Sequence, residues 1–273
     1  MKNIAFGQYY PARSPLHRLD PRVKIILTIL YIVCSFLCKN VWSFALLAIS
    51  SIMLIVLGRV PFKIIIGGLR PVLIVLIFTS IINIFWTKGD ILLFEWRFIH
   101  IYLEGIFSAI FIIVRISSLI IGTGMLLTYT TTPIALTDAL EDVLSPLKKI
   151  KVPVHDFAMM MTIALRFIPT LVEETDKIMT AQKARGADFS NGNIVERVKA
   201  LIPIIIPLFV SAFSRAGDLA TAMECRCYQG GEGRTRLHVR HIRFKDIVPL
   251  LIIAVFGTGL VLLNIFAPGF TMS

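Results

Sequence analysis

Charged residues are scarce in this chain of 273 residues: 16% are Asp, Glu, Lys or Arg, against 56% hydrophobic. Soluble globular proteins run near a quarter charged, so an ordinary water-soluble domain is excluded and the excess apolar surface requires lipid. Cysteine is sparse too. Cys34 and Cys38 lie in an apolar run, Cys225 and Cys227 in a polar one, a spacing that fits neither a disulfide framework nor a zinc ribbon and favours reduced, cytoplasm-facing thiols. There is no GxxxxGK[ST] phosphate loop, no HExxH, no CxxC and no GxGxxG after a strand. The chain therefore carries no motif for hydrolysing nucleotide, and no cofactor is expected. Acidic residues are outnumbered, 17 against 28 Lys and Arg for a net charge of +11, but the basic residues gather in a few segments. They report on membrane topology before any nucleic-acid partner.

Residues 1–20 hold Tyr9, Tyr10, Pro11, Pro15 and Asp20 and no apolar run, so no cleaved signal peptide is expected. Stretches approaching the roughly 20 residues that cross hydrocarbon are Ile25–Cys38, Val41–Leu57, Val72–Trp86, Ile106–Leu127 and Ile247–Phe266. Trp42 and Trp86 sit at span ends, where indoles favour the interface, and Lys24, Lys39 and Arg70 are expected to snorkel outward. Lys and Arg before, between and up to the last of these spans number 5, 1, 3, 2 and 16. Basic loops stay on the cytoplasmic side, which puts the N-terminus and the segment from about Thr128 to Asp246 inside, and Thr87–Gly105 and the C-terminus outside. Arg115 is the one basic residue within a span, and it must face other helices or water. A structural role and a transport role both remain open for it.

The expected organisation is an all-α membrane protein of the bacterial cell membrane with about five transmembrane helices. Residues 1–128 form an N-terminal membrane part, 129–246 a cytoplasmic domain of long helices, and 247–273 a last span. The insertion opens with Thr130-Thr131-Thr132-Pro133, a helix-start pattern, and helical spacing follows over Ile134–Leu147 until Ser145-Pro146. Val154–Ala184 reads as a long amphipathic helix kinked at Pro169 and ended by Gly186 in a left-handed conformation. A turn at Ser190-Asn191-Gly192 leads to a second long helix from Ile194 to about Tyr228. Its apolar piece, Leu201–Phe213, is short for a span and contains Pro203 and Pro207, so it is placed inside or at the interface.

His238 and His241 lie among Arg236, Arg240 and Arg243, which repel cations, and a solvated or headgroup-facing segment is the favoured reading. Cys225 and Cys227 form a CxC pair with no further cysteine nearby, a poor metal site. Glu173, Glu174 and Asp176 read as a wet helix face, with Glu173 paired to Lys177. Gly67, Gly68, Gly122 and Gly124 suit close helix packing, within the chain or against a membrane partner. Two arginines remain. One arginine near a helix C-terminus simply complements the helix dipole, but two long helices ending in the same arrangement, Ala184-Arg185-Gly186 and Cys225-Arg226-Cys227, suggest docking knobs. A guanidinium offers a rigid fork of donors to a carboxylate, and small neighbours allow close approach.

These features resemble the T component, the transmembrane coupling subunit, of energy-coupling factor (ECF) transporters, vitamin importers related to ATP-binding-cassette systems. The resemblance rests on the opening Gly7-Gln8-Tyr9-Tyr10-Pro11 and Ser14 to Lys24, on Ala184-Arg185-Gly186, and on Ala222 to Tyr228 followed by Gly230 to Thr235. It implies a non-catalytic membrane scaffold whose coupling helices seat Arg185 and Arg226, with their neighbours Ala184, Gly186, Cys225 and Cys227, on two ABC-type ATPase subunits. It also implies a substrate-binding membrane S component beside the scaffold. Cys225 and Cys227 depart from the family's alanine and glycine, and Cys227 enters a left-handed conformation less easily than glycine. The competing readings are a conventional ABC importer permease, a lipid-acting membrane enzyme, for which His241 to Asp246 gives one HxxxxD spacing, and a stand-alone secondary transporter.

Overall fold

The computed structural model describes residues 9–12, 14–87, 92–96, 99–187, 193–230 and 244–266. Two compact units emerge, Met1–Leu140 with Val239–Ser273, and Glu141–His238. The first holds helices α1 (Pro21–Leu37), α2 (Val41–Gly58), α3 (Phe62–Trp86), α4 (Leu103–Thr123), most of α5 (Pro133–Val143) and α8 (Phe244–Phe266). The second holds α6 (Val154–Ala184) and α7 (Ile194–Cys225) after a 3₁₀ segment, Ser145–Ile150.

Among the described residues five helices are long and apolar enough to cross a bilayer: Val41–Gly58, Phe62–Trp86, Leu103–Thr128, Val198–Cys225 and Asp246–Phe266. The architecture is that of an all-α membrane protein, and four of the five coincide with expected spans. The fifth is α7, one helix through Pro203 and Pro207 as expected from Ile194 onward, and its apolar window, Val198–Cys225, is longer than the 13-residue piece Leu201–Phe213 that the sequence marks out. Conversely the first expected span is α1, only 17 residues long but packed into the membrane core. Among the described residues the strands are confined to a short antiparallel hairpin, β1 (Leu92–Trp96) and β2 (Ile99–Tyr102), in register Trp96 to Ile99 and Glu95 to His100.

Helix α4 lies against α1, α2 and α3, while α8 lies against α1 and α2. Val23, Leu27, Tyr31, Phe44, Leu47, Phe111, Leu126 and Leu260 form the shared core. Phe44 and Phe111 stack with centroids 4.5 Å apart. Glycine permits the closest approach: a Cβ on Gly122 would collide with the Tyr31 ring, and Gly68 and Gly124 both meet Tyr129, whereas Gly67 meets nothing. Three of the four expected packing glycines are thus used within the chain.

Arg115 has the partners that a structural role requires. Its Nη2 donates to the Cys38 carbonyl at 2.7 Å, and its guanidinium sits 5.0 Å from the centroid of the Phe44 ring. Cys38 is the C-cap of α1, so the arginine supplies a donor to a helix end that has no backbone donor of its own and adds a cation–π contact.

The opening segment ties three parts of this unit together at one end. Lys24 is 1% exposed; its ammonium donates to the Thr130 carbonyl (2.9 Å), Thr130 Oγ1 (3.1 Å) and Thr131 Oγ1 (3.1 Å). The expectation that it snorkels outward is corrected: three oxygens where α4 ends replace its water. Tyr10 N–H donates to the Tyr129 carbonyl, and the His17 ring bridges Ser14 and the Tyr10 carbonyl. Asp20 caps α1 by accepting from the Arg22 N–H, and its own N–H donates to Asp246 Oδ1 at the start of α8. At the far end Asn264 donates to the Leu37 carbonyl and accepts from Ser43. The entry of α1, the exit of α4 and the entry of α8 therefore share one end of the bundle.

Candidate partner-docking site at two helix ends

Both candidate arginines lie in the second unit, and the backbone around each is the same. Helix α6 ends at Ala184 with Arg185 as its C-cap, and Gly186 follows at φ +86°. Gly186 N–H donates to the Lys183 carbonyl and Ala187 N–H to Gln182, the pair of bonds that defines a Schellman ending. Helix α7 ends at Cys225 with Arg226 as its C-cap, and Cys227 follows at φ +55°. Cys227 N–H donates to the Glu224 carbonyl and Tyr228 N–H to Met223. The two triplets are thus one structural motif used twice. Cys227 does adopt the left-handed conformation expected of glycine, at a cost of about 1–2 kcal/mol for an L-residue.

Ala184, Arg185, Gly186, Cys225, Arg226 and Cys227 are all exposed. Among the described residues neither guanidinium has a hydrogen-bond or ion-pair partner, although each C-cap position leaves carbonyls nearby. The pair of arginines is available to a carboxylate brought from outside.

The helices that carry them pack on each other. Glu174 of α6 meets Arg215 of α7 at 2.6 Å, the ion pair that forms in place of the expected Glu173–Lys177. Gln182 Nε2 donates to the Pro203 carbonyl at 3.4 Å. That carbonyl is free because residue 207, four positions on, is proline and has no N–H. Gln182 thereby links the last turn of α6 to the proline break of α7. Since the early part of α7 faces the end of α6 and its later part faces further back, the pair is antiparallel and the arginines lie at opposite ends. From Pro203 to Arg226 the chain advances roughly 35 Å at about 1.5 Å per residue.

Along α7 the exposed residues Val198, Leu201, Ile202, Ile205, Phe209 and Phe213 recur at three- and four-residue intervals, an apolar stripe on one face. His155 Nδ1 contacts Glu141 Oε1 at 3.1 Å at the start of α6. Among the described residues no group of three His, Cys, Asp or Glu converges to hold a metal. The Ser190-Asn191-Gly192 turn, the Gly231-to-Thr235 part of the second signature, and His238 and His241 lie outside the described residues.

The fold defines a multi-pass helical membrane protein with an appended pair of long helices ending in exposed cationic caps. Residues 12–237 match the family described as CbiQ, cobalt transport protein. The chain is 53% identical over 265 residues, 97% of its length and 98% of the relative's, to the energy-coupling factor transporter transmembrane protein EcfT of Ruminiclostridium cellulolyticum. It is 48% identical over 252 residues to the protein of that name in Clostridium kluyveri (92% of this chain, 93% of the relative), and 49% over 257 residues to that of Bacillus subtilis (93% and 97%). This chain belongs to the family of energy-coupling factor transporter transmembrane proteins, the T components.

Proposed function

We propose that this T component couples two ABC-type ATPase subunits to a substrate-binding S component in the same membrane, with Arg185 and Arg226 each seated in one ATPase. The observation that carries the reading is the repeated ending: two helices of one unit finish in the same backbone motif, each with an exposed arginine that has no partner among the described residues. The chain has no nucleotide motif of its own, so the ATP would be hydrolysed by the subunits it holds. A rigid, cross-linked helix pair can pass a closing motion of those subunits to the membrane as a shift of packed elements.

We infer that helix α7 lies at the membrane surface rather than across it. Thr130 and Asp246 belong to one end of the bundle, and among the described residues between them α7 alone is apolar enough to span. A single crossing would leave Asp246 at the opposite face. Arg215 and Asp218 also restrict its uncharged run to Ala200–Ser214, about 22 Å at about 1.5 Å per residue, short of the roughly 30 Å hydrocarbon core. Its apolar stripe then faces lipid and the S component. The N-terminus and residues 129–246 are assigned to the cytoplasm by the positive-inside rule.

A desolvated, hydrogen-bonded arginine–carboxylate pair loses about 2–5 kcal/mol of association when truncated. The test is purification of the complex from its native membrane with Arg185→Glu and Arg226→Glu together. The variant is expected in the membrane without ATPase subunits. Recovery of the intact complex with unchanged vitamin uptake would refute the assignment, and support for an ordinary permease would come from ATPase retention that depends on neither arginine.

A further inference from the structure

A cleft of about 740 Å³ opens at the basic end of the membrane unit, between the turn before α1, helices α1 and α2, and the first half of α8. Its rim carries Arg18 and Arg59; its walls are apolar, with Leu27, Leu54, Leu57, Ile252 and Phe256 among them; Tyr31 and Ser50 lie at its depth. From Arg59 back to Ser50 along α2, and from Val248 to Phe256 along α8, the walls descend roughly 12–14 Å at about 1.5 Å per residue. The cleft is thus cationic at the interface and apolar toward the bilayer centre.

Of the polar groups lining it, Ser14 is held by His17 at 2.7 Å. Arg18 and Arg59 are exposed, and among the described residues neither side chain has a partner. Asp246, the one carboxylate, is 5% exposed and accepts the Asp20 N–H at 3.2 Å, so the accessible rim charge is positive. Tyr31 Oη lies 3.2 Å from Ser51 Oγ and 3.5 Å from Ser50 Oγ, and these hydroxyls bond one another. Arg59 stands at φ 51° as the C-cap of α2, a left-handed position that glycine or asparagine fills at less cost, and yet the residue there is a cation on the rim of an apolar cleft.

We propose that this cleft binds one anionic phospholipid, its phosphate between Arg18 and Arg59 and one acyl chain along α2 and α8. Charge complementarity selects an anionic amphiphile, and the basic end of a membrane protein is where anionic headgroups are recognised. The lipid would hold α8 against α1 and α2 where α8 enters the membrane.

The full-length protein, incorporated in nanodiscs of equal phosphatidylcholine and phosphatidylglycerol and released into mild detergent, is analysed by native mass spectrometry. The wild type is expected to retain one phosphatidylglycerol, and Arg18→Gln with Arg59→Gln to retain it roughly thirtyfold less, the effect of two basic residues at an anionic surface. Ile252→Trp, which fills the acyl groove and leaves the rim intact, is expected to lose it as well. Thermal unfolding of both variants in lipid-free detergent, expected at the wild-type temperature, separates lost binding from lost fold. Addition of inorganic phosphate should leave the adduct in place; its displacement by phosphate would show a headgroup-only anion site and overturn the acyl seat. Equal retention of both lipids by the wild type, or unchanged retention in the double variant, would overturn the proposal. So would photocrosslinking from position 252 in the purified complex that captures a membrane subunit in place of lipid.

Discussion

Lys24 Nζ stands 2.9 Å from the carbonyl oxygen of Thr130, 106 positions away in the chain, at the point where α4 ends and the connection to α5 begins. Asp20, four residues earlier, holds Asp246, where the chain re-enters the membrane unit at α8. One short opening segment thus holds the chain both where it leaves the membrane unit and where it returns at α8.

Replacing Lys24 by methionine keeps the length of the side chain and removes its three donors. The Thr130 carbonyl is left buried without its partner, at a cost of about 1–3 kcal/mol. Thermal unfolding in detergent should fall by several degrees, and ATPase-driven uptake should fall more than the amount of protein in the membrane. An unchanged melting temperature would show that the ammonium is dispensable.

Gly122→Val should prevent proper packing, because any Cβ at that position collides with the Tyr31 ring, and overpacking of this kind costs about 1–3 kcal/mol. Gly67→Ala is the matched control, with open space around it. Membrane yield and unfolding temperature of the two variants should diverge; parity between them would contradict the close helix approach.

Arg115→Met is expected to destabilise the bundle by about 2 kcal/mol, the loss of a charged hydrogen bond to a helix end together with a cation–π contact. ATPase association should survive in the fraction that folds. A well-folded variant that fails only in transport would return Arg115 to the second role left open by its place in a span.

Cys227 holds a left-handed backbone at φ +55°. Cys227→Gly should preserve or slightly improve the stability of the α7 ending, whereas Cys227→Val, β-branched at such a position, should disrupt it and weaken ATPase association. Hydrogen exchange at the Tyr228 amide, which donates to Met223, reads this ending directly. Equal protection in both variants would show that the Schellman geometry does not depend on residue 227.

Composition and charge were enough to read the helical membrane class, four of the five apolar helices and both arginine endings, because hydrophobic length, Gly186 and the basic loops are local signals. What escaped were consequences of distant partners. Lys24 looks like a snorkelling interface residue until Thr130 and Thr131 are brought beside it. Pro203 and Pro207 shorten the apolar piece of α7 on paper, but the helix runs on through them, and one freed carbonyl accepts from Gln182. The hairpin at Leu92–Tyr102 falls in a short loop between two spans, where topology counting drew attention to charge alone. Cys227 breaks the glycine rule by residue type and keeps it by conformation.

The most direct measurement places a photoreactive amino acid at position 185 or at position 226 of the otherwise intact complex and identifies what each captures on illumination. An ATPase subunit should be captured from both positions, with the two crosslinks mapping to equivalent grooves of separate subunits. Capture of lipid, of this chain itself, or of the S component from either position would contradict the docking of two ATPases through these arginines.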